Sequence, residues 1–332
     1  MTSQPTLFTQ TIGRKRSLGL TLGISLALLI APFLIAYMDG VWDVFINQGV
    51  WRIALVQPVV IIYILVVAPI LEGMGTEVIQ SFRSIVKLDD ESYWNIVRRA
   101  ERIPRSHELL AIAIGGAIGF WMAYSGSFSR QALLFSIYWL IFNTIMLGLI
   151  AWIVYLSIAS TRLTAALHRQ PLEFDLFDLS PFIPIGRQSL ALSLVFVGGV
   201  LLSLLLGVQP ESLLIPQFWL TYIPLLVVPV LVFFLNMQPT HRLLSKEKTR
   251  HLEFVQTYIL KRTHDLEAHL KAGVIPAEFS SEFSTLAMYQ AQLQSARTYP
   301  YKTAQLRTLF FSVLIPAVTM LARTVIENFL SF

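Results

Sequence analysis

Seven stretches of the chain stay apolar for about the 20 residues that a helix rising 1.5 Å per residue needs to cross a bilayer. They are 18–38, 53–71, 109–124, 132–158, 190–208, 218–237 and 309–330. A soluble protein would have to surround such segments with charge. Here 55% of the 332 residues are hydrophobic and 14% are charged, against roughly 45–50% and about 25% in soluble domains. With a mean hydropathy of +0.63 there is too little polar surface for a water-soluble globule. The expected fold is all-α, a polytopic membrane protein with seven transmembrane helices and a small cytoplasmic helical bundle.

Arg14, Lys15 and Arg16 precede the first span as they would precede a signal peptide. Its apolar run exceeds the usual roughly 7–15 residues and no A-x-A site follows, so it reads as a retained anchor. The third span is short unless it extends into its flanks.

Lysine and arginine mark the cytoplasmic side of a membrane protein. The N-terminal segment, the second loop, the fourth loop and the sixth loop hold 22 of the 25, whereas only Arg52 and Arg130 fall on the opposite side and Arg323 lies in the last span. The N-terminus is therefore expected inside an inner or plasma membrane, and seven spans put the C-terminus outside. Trp42, Trp51, Trp121, Tyr124, Trp219 and Tyr222 then fall near the outer interface, with Trp152 and Tyr155 near the inner one. Topology and anionic lipid account for the sequence pI near 9.4, so nucleic acid is set aside.

The expected organisation is a cytoplasmic tail over 1–17, a six-helix membrane region over 18–237 with cytoplasmic loops at 73–107 and 160–189, a cytoplasmic helical segment over 238–305, and the seventh helix over 306–332. Asp89 and Asp90 stand where an N-cap is wanted before a helix from Glu91 to Ile103 that Pro104 ends. After the sixth span, Leu244, Leu252, Val255, Ile259, Leu266 and Leu270 form one helical stripe, and Gly273 and Pro276 punctuate it. A second helical stretch carries Phe279, Phe283, Leu286 and Leu293 at similar spacing. These two are expected to pack together. Between the fourth and fifth spans, the alternation of acid and apolar residues over 173–179 reads as an amphipathic linker along the inner surface, in preference to a partner-docking strip.

Few residues offer chemistry. The absence of Cys excludes disulfides, thiolate metal sites and cysteine nucleophiles. Ser106-His107-Glu108-Leu109 resembles the phosphoacceptor stretch of sensor histidine kinases, but it runs straight into the third span and no Gly-rich nucleotide-binding domain follows. Asp265 and His269 are one helical turn apart, which is more commonly the spacing of a pair on a solvated helix face than of two metal ligands, and with no second His at that spacing no metal site is expected. Outside the last span, ionisable groups are nearly absent from the spans and only polar residues such as Gln57, Asn143 and Thr221 appear, which argues against proton coupling. Enzyme chemistry at membrane depth would need clustered carboxylates, a nucleophile with its base, or metal ligands. None is apparent, so no enzyme activity and no cofactor are expected.

Gly115 with Gly119, and Gly198 with Gly199, permit close approach of neighbouring helices, within a protomer or between protomers. The last segment is the most informative. Ser312, Thr319, Arg323 and Glu327 are seven, four and four residues apart, on one helical face, with Thr324 and Asn328 beside them. An intramembrane arginine costs roughly 2.5–3.5 kcal/mol on insertion scales, so this face should meet protein or water. Three arrangements satisfy that: an Arg323–Glu327 pair snorkelling at the outer interface, a pore-lining helix, or a surface-lying helix that never crosses.

In layout the chain resembles the seven-transmembrane ion channels typified by insect odorant and gustatory receptors: inside N-terminus, seven spans, small outer loops and cytoplasmic helices before the last span. Where gustatory receptors carry a Thr-Tyr…Gln-Phe signature, residues 324–329 read Thr-Val-Ile-Glu-Asn-Phe. The resemblance implies a homotetramer, protomer contacts through the cytoplasmic helices, and Ser312, Thr319 and Arg323 facing a pore. The expected function is then an ion channel, gated by a small ligand entering among the outer halves of the spans. Two other readings remain open: a non-conducting sensor or scaffold that recruits a partner through 241–300, and an uncoupled carrier for lipophilic solutes with a cavity at Asn143 and Gln57.

Overall fold

A computed structural model describes residues 18–100, 104–126, 132–207, 216–271, 277–299, 304–312, 314–315 and 318. The described residues are all-helical and contain no strand. In chain order the helices are α1 (Leu18–Met38), α2 (Trp42–Asn47), α3 (Val50–Arg83), α4 (Asp90–Ala100), α5 (Arg105–Gly126), α6 (Leu133–His168), α7 (Ile183–Gly207), α8 (Pro216–Lys271) and α9 (Ala277–Ser295), followed by a helical stretch over 304–312. A 3₁₀ turn, Ser180–Phe182, leads into α7. Five helical segments are long and apolar enough to cross a membrane: those of α1, α3, α5, α6 and α7. The sixth apolar segment, 218–237, lies in α8, and most of the seventh lies outside the described residues.

The helices outrun their apolar stretches. At 34 and 36 residues, α3 and α6 are about 51 and 54 Å long, against an apolar layer of about 30 Å. Residues 73–83 and 160–168, read as loop, are helical extensions of these spans. The third span also extends into its flank: α5 starts at Arg105, and its 22 residues reach about 33 Å.

The extensions are helical because they have a core of their own. Phe82, Tyr93, Val97, Leu167, Phe182, Phe233, Met237 and Leu244 are buried together at the basic end of the bundle, contributed by α3, α4, α6, the 3₁₀ turn and α8. The Asp89 carboxylate accepts the Ser92 N–H at 2.9 Å and starts α4, as its position in the sequence suggests. Tyr93 then ties α4 back to α3 by donating to the Ile79 carbonyl at 2.5 Å. A second apolar core, around Val60, Ile64, Ala68, Trp152, Ile153 and Leu192, fills the middle of the bundle. At the far end the aromatic rings of Phe33, Phe45, Phe135 and Tyr138 meet. There Gly40 and Gly49, both at positive φ (69° and 70°), turn the chain on either side of α2. Asp39 caps α6 across the bundle by accepting the Phe135 N–H at 2.7 Å.

The strip over 173–179 departs from the linker reading. Leu172 pairs with Val86 in an isolated antiparallel bridge, and Glu173 N–H donates to the Ile85 carbonyl at 2.8 Å. Phe174 packs against both the basic-end core and a further cluster in which Leu176 is buried with Val255 of α8 and Leu293 of α9. The strip is thus a strap docked on the chain's own helices. The apolar residues of an alternating strip find protein here before they find a membrane surface.

Candidate functional site

Of the residues expected to line a pore, Ser312 is described, whereas Thr319, Arg323 and Glu327 lie outside the described residues. Ser312 is half-buried, and its hydroxyl donates to the Thr308 carbonyl at 2.6 Å, within its own helix. In the stretch over 304–312, Leu309 is buried in the basic-end core and Leu306 packs against it. Phe310, Phe311, Leu314, Ile315 and Val318 are exposed in the single chain.

The expected packing glycines act within the chain. A Cβ on Gly119 would lie 2.6 Å from the Asn143 carbonyl oxygen, and one on Gly115 would lie 2.5 Å from the Ala151 Cβ and closer still to the Leu147 carbonyl. Gly115 and Gly119 therefore bring α5 onto α6 almost backbone to backbone. Gly198 of α7 receives the Tyr63 ring of α3, where a Cβ would meet Tyr63 Cζ at 2.9 Å, whereas Gly199 has room. Tyr63 donates past it to the Val195 carbonyl at 3.1 Å.

The polar residues of the spans divide by role. Asn143 donates its amide to the Gly119 carbonyl at 2.9 Å, so it is committed to the α5–α6 contact. Gln57 is 3% exposed, and its Oε1 has no hydrogen-bond partner among the described residues. The side chain of Thr221 lies outside those described. Glu108 changes the picture of spans without ionisable groups: because α5 begins at Arg105, Glu108 sits in its first turn, 2% exposed. A carboxylate just outside an apolar run becomes a buried one once the helix extends.

The densest polar arrangement was not evident from the sequence. Ser160, Thr161 and Thr164 of α6, Gln188 and Ser189 of α7 and Asn236 of α8 surround a cavity of about 10 Å³, closed on one side by Ile185. That is about the room one water molecule needs. Thr161 donates to Asn236 across the helices, and Ser189 donates to the Phe233 carbonyl at 2.9 Å. One turn further, His168 Nε2 lies 3.4 Å from Thr240 Oγ1, with its ring edge-on to Phe82 at 5.2 Å. The signal available in the sequence was the recurrence of Ser157, Ser160, Thr161, Thr164 and His168 at spacings of three and four from the end of the fourth apolar run onward.

Asp265 pairs with Arg262 at 3.7 Å, and the His269 side chain lies outside those described. Among the described residues no group of three His, Asp or Glu side chains could hold a metal ion. Two carboxyls are shifted. Hydrogen bonds from Ser92 hold Asp89 below the usual carboxylate range, and those from Ser180 do the same for Asp178. Compared with protein-family models, curated proteins and solved structures, the chain matches none.

Proposed function

We propose that this chain is a seven-span membrane channel with its N-terminus in the cytoplasm, conducting ions through a pore that the last helices of several protomers build together. Four copies is the number its topological resemblance favours. The observation that carries this reading is the attachment of the 304–312 stretch: Leu306 and Leu309 hold it to the bundle, and the large apolar residues beyond are left bare. A helix held by one edge has its remaining faces available for lipid on one side and for copies of itself on the other. Along that helix Ser312, Thr319, Arg323 and Glu327 would face the pore. Native mass spectrometry in mild detergent should give an oligomer, and Arg323→Glu should shift the reversal potential in bilayer recordings. A monomer whose Arg323→Glu variant leaves the current–voltage relation unchanged refutes the channel.

A second reading has its own observation. Phe254 and Leu260 on α8 and Met288 on α9 are 71, 70 and 63% exposed, far from any apolar span. Exposed apolar side chains on a helical hairpin suit a sensor or scaffold that recruits a partner. Recovery of one specific protein by the full chain, lost in Phe254→Ser/Met288→Ser, would favour it over the channel.

A further inference from the structure

The membrane placement proposed above gives each helix a register against the apolar layer, and some of the exposed arginines that lack an ion pair fall close to its boundary. Arg162 lies four residues beyond Ile158, Arg242 five beyond Met237, and Arg307 two before Leu309. At 1.5 Å per residue all three sit within about 8 Å of the apolar boundary, the depth of a headgroup layer. Arg99 joins them by a different route. It stands six residues before Arg105, where α5 begins, on the helix that Tyr93 ties to α3 through the Ile79 carbonyl.

All four are exposed, and among the described residues none makes an ion pair. Among the described carboxylates at this level, Glu77 pairs with Arg187 at 3.5 Å, Glu108 is buried, and Glu72 has other interactions. Farther from the apolar layer several cations are paired. Arg83 pairs with Asp90, Lys87 with Glu173, Arg250 with Glu247 and Arg262 with Glu282, while Lys248 donates to the Gln294 and Ala296 carbonyls. Arg169, Lys246 and Lys261 also lie there and face water.

Three of the four free arginines have exposed apolar residues near them on the same helix: Ile158 for Arg162, Leu235 for Arg242, and Phe310 and Phe311 for Arg307. A cation with apolar surface just above it is complementary to an amphiphile, and neither a free anion nor a nucleic acid would use both parts. We infer that Arg99, Arg162, Arg242 and Arg307 form a girdle that binds the phosphate headgroups of anionic phospholipids in the cytoplasmic leaflet, while the neighbouring apolar residues take their acyl chains. This rests on the membrane placement and is independent of conduction.

The test uses the full chain in mild detergent with phosphatidylglycerol, phosphatidylcholine or inorganic phosphate. Retained lipid is counted by native mass spectrometry, and thermal stability is followed at low and high salt. Phosphatidylglycerol should be retained preferentially and should raise the melting temperature in a salt-sensitive way. Each arginine replaced by glutamine should weaken its binding roughly fivefold. Because the four side chains are exposed, Arg99→Gln/Arg162→Gln/Arg242→Gln/Arg307→Gln is expected to fold, and it should treat the two lipids alike. Should it not fold, the lipid preference of the unsubstituted protein decides. Equal retention of both lipids, an unchanged preference in the fourfold variant, or equal protection by inorganic phosphate overturns the girdle. Retention of neither lipid would instead refute the membrane placement.

Discussion

Replacing Gly115 by alanine tests how α5 and α6 are held together. The added carbon would lie 2.5 Å from the Ala151 Cβ and nearer still to the Leu147 carbonyl oxygen, where carbon atoms prefer about 3.5–4.0 Å. Both obstacles belong to the α6 backbone or its first side-chain atom, so no rotamer change relieves the clash and the helices must part by about 1 Å. Forcing a carbon into a packed seam costs about 1–3 kcal/mol. Parting the helices also strains the bond from Asn143 to the Gly119 carbonyl, 2.9 Å long and worth about 1 kcal/mol. Against this, alanine is the better helix former by up to about 1 kcal/mol. The net expectation is a loss of about 1–3 kcal/mol, a factor of roughly 5–150 in the unfolding equilibrium. Gly73 of α3 supplies the control, because a Cβ there has no neighbour within 4 Å. Gly73→Ala should be neutral or gain up to about 1 kcal/mol. The assay is denaturant unfolding in mild detergent followed by tryptophan fluorescence. If Gly115→Ala unfolds at or above the denaturant concentration of the unsubstituted protein, α5 and α6 are not packed through this seam.

The hairpin of α8 and α9 should be separable from the bundle. Leu293→Ala removes a fully buried side chain shared with Leu176 and Val255, at a local cost of about 2–5 kcal/mol. Trypsin should then cut first at Lys261, Arg262 or Arg297 while the bundle stays folded, and simultaneous loss of both would show that they unfold as one. The Asp89 cap should give α4 a pH dependence. Its carboxyl is held below the unfolded value of 3.8 by Ser92, so its stabilisation is complete above that value and is lost as pH falls through the lower native-state value. Hydrogen exchange of the α4 amides should speed up in acid in the unsubstituted protein and lose that acid step in Asp89→Asn, which keeps a capping oxygen. An identical acid profile in both would remove Asp89 as the cause.

What could be read without the structure was local. Apolar run lengths, the capping aspartate before α4, and the stripe of Leu244, Leu252, Val255 and Ile259 depend on neighbours within a turn or two, and there period and length are sufficient. The third span illustrates the limit: its apolar run was legible, but its true start at Arg105 was not, and that shift buries Glu108.

Tertiary structure decided everything that joins residues far apart in the chain. Thr161 meets Asn236 across 75 positions, Asp39 caps α6 across 96, and Tyr138 reaches the Ala54 carbonyl across 84. It also assigned Gly115 and Gly119 to a contact within the chain, turned the strip over 173–179 into a strap, and separated paired cations from free ones. A helix of given period presents the same faces whatever lies beside it. Which face is covered, and which polar group finds a partner, depends on how the helices are arranged around one another, and a one-dimensional pattern of apolar residues does not encode that arrangement.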